Sequence, residues 1–420
     1  MRGLVLALVL VPLPAVAEFY TLKGHGGPIM GIAIAPDGRI ATASFDNSVG
    51  LWTGQAPEWY EGHEAAVNTV AFNGAAFYSA GDDFTLRKWP SGEVIGRHKG
   101  KIVGLAASET AIATASWDGT IGLWPVDGTE PARLGPTGSG VNAVAFSPDG
   151  TQLYSAGVDG ALRLWDVSSG QETRRLVEHG FGINELALNA QDNWIAYGAV
   201  DGVTRVLDLA TGEERDFTLD RRPILALALS PDRRLLAVGD GEGYIMVIDT
   251  VDWRIAQDFR ATLRGPVWAL AFSTDGKNIH AGGLDEAMYS WPVDALSDQH
   301  QMASAVPSFL KNPDEMDNGE RQFARKCSIC HSLSSDNERR AGPTLHGVFG
   351  RQAGTVQGYL YSDTLQGSDI IWNDETINAL FDEGPDHYIP GSKMPMQRIA
   401  KSQDRQDLIA FLRRATTDRN

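Results

Sequence analysis

Residues 139–167 read "SGVNAVAFSPDGTQLYSAGVDGALRLWDV". Two runs of alternating apolar residues flank a Pro-Asp-Gly turn, a second turn is built around Asp159, and an aromatic-rich run closes the stretch at Trp165. Alternation at a period of two is the mark of a half-buried strand, and Pro, Asp and Gly supply the backbone angles of tight turns. The stretch is expected to fold as short antiparallel strands.

The same plan recurs. Residues 24–52, "GHGGPIMGIAIAPDGRIATASFDNSVGLW", are a first copy, and the closing position returns at Trp52, Trp89, Trp124, Trp165, Leu207, Ile248 and Trp291. The gaps are 37, 35, 41, 42, 41 and 43 residues, the period of a four-stranded propeller blade. An acid stands six residues before each closing position: Asp46, Asp83, Asp118, Asp159, Asp201, Glu242 and Asp285. Seven closures predict seven blades.

On these residues, roughly 18–294 resemble the WD40 repeat family. The resemblance implies a buried hydrogen-bonded set of His, Ser, Asp and Trp, matched by His25, Ser44, Asp46 and Trp52 and by His98, Ser116, Asp118 and Trp124. His63 and His179 hold the start position of two more copies, the fourth, sixth and seventh lack that His, and "VLDL" and "VIDT" replace the Trp in the fifth and sixth. It also implies that an N-terminal strand, "EFYTLKG" (18–24), completes the last blade, and that the ring is a binding platform more than an enzyme. No G-x-S-x-G, H-E-x-x-H or phosphate loop occurs in it. His280 falls in a strand of the last blade and is expected to be packed or exposed.

The repeat stops after Trp291. Residues 295–313 are polar, with Pro307 and Pro313, and read as a linker that includes His300. From Asp314 the chain reads as helical, with acids early and Arg325 and Lys326 late, as the helix dipole favours. Residues 373–381 and 402–414 are two further helices, with Asn373 and Ser402 as expected caps. The first helix runs into "ARKCSICHSL" (324–333), which holds both cysteines of the chain, Cys327 and Cys330, followed by His331. Such a pair suits a redox dithiol, half a zinc site or haem attachment. Zinc lacks its other ligands, since no further cysteine exists. A thioredoxin-like pair wants a βαβ context, which is missing here. Haem attachment needs two thiols and an adjacent His, and C-x-x-C-H supplies all three.

Charge and the N-terminus agree. Lys+Arg 36 against Asp+Glu 53 gives a net charge of −17, which argues against nucleic acid and anionic membranes as partners. Arg2, the apolar run "LVLALVLV" and "AVA" at 15–17 form a signal peptide, residues 1–17, expected to be cleaved after Ala17. The mature chain should carry no transmembrane segment and should be exported, most simply to a periplasm, where haem of this type is attached.

Residues 314–420 resemble class I cytochrome c, especially its mitochondrial-like subgroup. The matching stretches are "GERQFARKCSICH", "AGPTLHGVFGR", "GYLYSDTL", "WNDET", "YIPGSKMP" and "DLIAFL". The expected architecture is therefore multidomain, an all-β seven-bladed propeller followed by an all-α cytochrome c domain. The resemblance implies one covalent haem c on Cys327 and Cys330, with His331 and Met394 as axial iron ligands and Met396 as the competing methionine. It implies that the Pro343 carbonyl accepts from the ligand histidine, that Tyr361 and Trp372 bond a haem propionate with Arg351 nearby, and that Gly319, Phe323 and Phe411 join the first and last helices. The family often has a Tyr near the Met sulfur, and here the stretch reads Leu380-Phe381. His346 and His387 are expected in packing or surface roles.

A haem with His and Met ligands has no open position and moves single electrons. The expected function is electron transfer to a redox protein partner docked through the propeller. Two alternatives stand beside it: a two-domain haem oxidoreductase whose propeller binds a substrate or second cofactor, and a redox-sensing scaffold.

Overall fold

The computed structural model describes residues 17–220, 223–294, 316–335, 340–394 and 397–416. Residues 1–16 of the expected signal peptide, the expected linker 295–313 and Met396 lie outside the described residues.

The N-terminal part is a seven-bladed propeller. Seven four-stranded antiparallel sheets follow one another, and their innermost strands touch in sequence until that of blade 7 (Val267–Phe272) meets that of blade 1 (Ile29–Ile34). The ring closes through its first strand. Tyr20–Lys23 adds to the outer edge of blade 7 and pairs antiparallel with Ala287–Pro292, Tyr20 opposite Ser290 and Lys23 opposite Ala287. The alternative is an unpaired edge, a template for aggregation.

The core is distributed between neighbouring blades. Leu51 and Val49 of blade 1 pack with Val67, Phe77 and Trp89 of blade 2. Across the closure, Leu22 and Met288 pack with Ile29, Ile40 and Trp52. Where blades 5 and 6 lack the closing Trp, Leu207 and Ile248 are buried, and Trp194 and Trp253 fill space nearby with ring centroids 5.4 Å apart.

The buried polar set is real in blades 1–3, but in blades 1 and 3 its hydroxyl is not the expected one. In blade 1, His25 Nδ1 donates to Asp46 Oδ2 at 3.0 Å, and Trp52 Nε1 donates to Thr42 Oγ1 at 2.8 Å. That hydroxyl is also 2.7 Å from His25 Nε2. Blades 2 and 3 repeat this with His63, Ser79, Asp83 and Trp89, and with His98, Thr114, Asp118 and Trp124. The cause is strand register. Trp52 stands opposite Ile40, so the next residue on that face is Thr42, and Ser44 lies one step beyond. Ser44 instead donates to Gly27 O and accepts from Asp46 N; Ser116 acts likewise in blade 3.

Two further departures follow from local chemistry. In blades 4 and 5 an arginine four residues after the turn acid pairs with it, Arg163 with Asp159 and Arg205 with Asp201. In blade 5 His179 approaches Asp201 with Nε2, at 3.2 Å. In blade 6 Glu242 is exposed. The turn is held by buried Asp240, which accepts from Glu242 N and Tyr244 N at 2.9 Å each.

Among the described residues after the propeller, five helical segments occur: α1 (Asn318–Lys326), α2 (Asp363–Gln366), α3 (Asp374–Glu383), α4 (Pro385–Tyr388) and α5 (Ser402–Ala415). α1 starts later than the sequence suggests, because Asp317 caps it by accepting from Glu320 N, and it ends at Lys326, ahead of the cysteines. Asn373 caps α3 in a capping box with Thr376. Ser402 does not cap α5, since it is already the first helical residue and the cap position is Lys401. α1 crosses α5 at Gly319, where a Cβ would meet Asp407 O at 2.1 Å. Phe323 and Phe411 pack beside this contact with centroids 5.5 Å apart.

Candidate functional site

The end of α1 delivers the cysteine motif into a turn. Cys327 is the C-cap of the helix, Cys330 N donates to Cys327 O at 3.0 Å, and His331 N donates to the same carbonyl at 2.9 Å. This tight turn brings Cys327, Cys330 and His331 to the wall of one cavity, which Met394 also lines. The rest of the wall is largely apolar, with Leu365, Trp372, Ile377, Leu380, Phe381 and Ile389.

The cysteines are not joined to each other. Burial pushes the Cys327 thiol up to about 12 and the Cys330 thiol up to about 11, which disfavours the thiolate that a redox dithiol needs. Burial also pushes the His331 imidazole below its ordinary range, favouring the neutral ring that ligates metals. Its Nδ1 lies 2.7 Å from Pro343 O. A carbonyl only accepts, so Nδ1 carries the proton and Nε2 is left as the ligating nitrogen. Gly342 permits this placement: a Cβ there would meet the His331 ring at 2.4 Å.

Arg351, Tyr361 and Trp372 line the same cavity. Arg351 also ties the loop carrying Pro343, donating to His346 O and Thr344 O at 2.7 Å each. Trp372 is fixed by its backbone, donating to Arg351 O and accepting from Gly350 N. Tyr361 packs on Tyr359 with centroids 4.7 Å apart. All eight candidate residues are thus brought to one place. His346 is half-buried and His387 exposed, and neither lines this cavity.

The structure adds residues that the sequence did not single out. Ser362 Oγ, Ser392 Oγ and Gln397 Oε1 line the cavity, are buried, and have no hydrogen-bond partner. Ser362 occupies the N-cap position of α2 but makes no side-chain cap bond. Buried polar atoms left without partners are costly. An apolar cavity with two thiols, one oriented imidazole nitrogen, one thioether and orphaned polar atoms fits a haem, a flat apolar group with an iron centre and a carboxylate edge.

The cytochrome c family profile matches residues 316–416, and the WD domain, G-beta repeat profile matches 17–53, 57–90, 129–166 and 257–291. The matched repeats correspond to blades 1, 2, 4 and 7. Cytochrome c of Gibberella zeae is 42% identical over 98 residues, 23% of this chain and 92% of that protein. Cytochrome c of Sesamum indicum is 42% identical over 106 residues, 25% of this chain and 93% of its own length. Cytochrome c of Arabidopsis thaliana is 42% identical over 98 residues, 23% and 87% respectively. These homologues imply a covalently attached haem c, and the WD repeats imply protein–protein interaction.

Proposed function

Because the C-terminal part of this chain belongs to the cytochrome c family, we propose that the protein is an exported, periplasmic carrier of single electrons. In this reading the second domain is an all-α, class I cytochrome. Cys327 and Cys330 would hold one haem c covalently, and His331 and Met394 would ligate its iron. Bound there, the haem supplies one-electron exchange between ferric and ferrous iron. Pro343 fixes the imidazole, and Arg351, Tyr361 and Trp372, joined by Ser362 and Ser392, would hold the haem carboxylates. Two protein ligands leave no coordination position for a substrate.

The propeller is read as the protein-docking module. Trp117, Val158 and Val200, each just before a turn acid, and Phe181 are large exposed hydrophobics on blades 3–5, a surface suited to a protein partner. Among the described residues no helix is long and apolar enough to cross a membrane.

The observation that carries the reading is the convergence of Cys327, Cys330, His331 and Met394 on one cavity, with His331 Nδ1 committed to Pro343 O. The test is Met394→Ala in the haem-loaded protein. The reduced variant should bind carbon monoxide, which the parent should ignore. An unchanged variant, together with a Met396→Ala protein that does bind it, would refute the ligand assignment.

A further inference from the structure

The haem-site cavity is not walled by the cytochrome domain alone. Phe45, Asn47, Ala65, Ala66 and Asp82 of the propeller line it together with Cys330, His331 and Met394. These residues come from one side of the ring. Phe45 and Asp82 directly precede the turn acids of blades 1 and 2, and Ala65 and Ala66 lead into the innermost strand of blade 2 (Val67–Asn73).

Charge is complementary across this junction. Arg340 of the cytochrome domain forms a partly buried ion pair with Glu286, which follows the turn acid of blade 7. Lys393, next to the candidate ligand Met394, donates to Leu360 O at 3.0 Å and feels the fields of Glu64 and Asp83 of the propeller. A second, polar cavity lies between Asp46, Glu61 and His63 on the propeller and Arg340, Tyr359 and Lys393 opposite. Residues 314–420 carry −3 of the net charge, which leaves −14 on residues 1–313. The cytochrome domain therefore turns cationic groups toward the acidic part of its own chain.

We propose that blades 7, 1 and 2 form a cap on which the chain's own cytochrome domain docks, covering the mouth of the haem site. This deepens the carrier reading and rests on it. The docked state shields the haem from bulky redox proteins, and undocking, or entry by a small reagent, exposes it. Ion pairs at a partly exposed junction are modest in strength and sensitive to salt, which suits a contact that opens and closes. Blades 3–5 keep Trp117, Val158, Phe181 and Val200 exposed for an outside partner.

The test uses the full-length, haem-loaded protein. Glu286→Arg turns the ion pair into a repulsion, and adding Arg340→Glu restores it with the charges exchanged. Small-angle X-ray scattering reads the separation of the domains. Access is read by oxidising the ferrous protein with a copper(II) electron-transfer protein: the haem iron gives up one electron, and the copper becomes copper(I). Glu286→Arg should enlarge the radius of gyration and speed this oxidation about threefold or more, since an ion pair shifts an equilibrium by about that factor. The double variant should return to the parent values, and the parent in about 0.5 M salt should behave like the single variant. Oxidation by ferricyanide, which is reduced to ferrocyanide, should change less.

If the single variant fails to fold, Arg340→Glu alone serves in its place. A single variant matching the parent in both readouts, or a double variant that does not recover, overturns the proposal. The two readings fail separately: missing haem attachment, or carbon monoxide binding by the parent, would sink the carrier reading and leave the domain contact standing.

Discussion

At the scale of single residues, the blade hydrogen-bond set gives the sharpest test. Thr42 Oγ1 serves both Trp52 Nε1 and His25 Nε2, while Ser44 only secures the turn. Thr42→Val should therefore cost about 1–3 kcal/mol, because it strands the buried Trp52 Nε1 donor and takes from His25 Nε2 its hydroxyl partner, and Ser44→Ala should cost less. Urea denaturation of the two variants checks this, and the reverse order would contradict it. The sequence could not separate the two hydroxyls, because both lie on the same strand face, two residues apart. The arginines of blades 4 and 5 were similarly hidden: an Arg four residues after an Asp looks like a surface pair, and only the burial of Arg163, at 3% exposure, reveals that its bond to Asp159 is part of the blade interior. Cys327, Cys330 and His331 were legible, because C-x-x-C-H confines them to one short motif. Ser362, Ser392 and Gln397 were not, since a lone Ser or Gln carries no spacing signal.

At the scale of elements, the closing strand Tyr20–Lys23 makes a prediction about pH. His280, in the strand Asn278–Gly283 of blade 7, is 2% exposed, and its ring centroid lies 6.1 Å from that of Tyr20. Burial, only partly offset by Asp275, pushes its pKa from 6.5 down to about 4. A histidine depressed in the folded state lets the unfolded chain take up the proton first. Its contribution is intact above pH 6.5 and is lost as pH falls toward 4, by about 3 kcal/mol in all. His280→Phe should flatten this part of the stability–pH profile measured by chemical denaturation; an unchanged slope would show that His280 is not responsible. Strand count and closure were readable because the period of about 40 residues fixes the number of blades. Helix ends were less so. Acids at 314–317 gave no means of choosing the cap, and the structure selects Asp317.

At the scale of the whole molecule, two domains with separate hydrophobic clusters meet at the haem site. Nothing in the sequence marked Glu286 and Arg340 as partners. They are joined only through the chain on either side of the linker, and paired charges leave no pattern at that separation. The division into a ring and a cytochrome was legible, because a strand period gives way to a helical pattern after Trp291. The function proposed for the assembly depends on one claim, that a single six-coordinate haem exchanges one electron at a time. A spectroscopic redox titration of the full-length, haem-loaded protein tests it most directly. We expect one transition with a slope of about 59 mV per decade, as one-electron chemistry requires, unaltered by carbon monoxide. Two transitions, or a curve displaced by carbon monoxide, would contradict it.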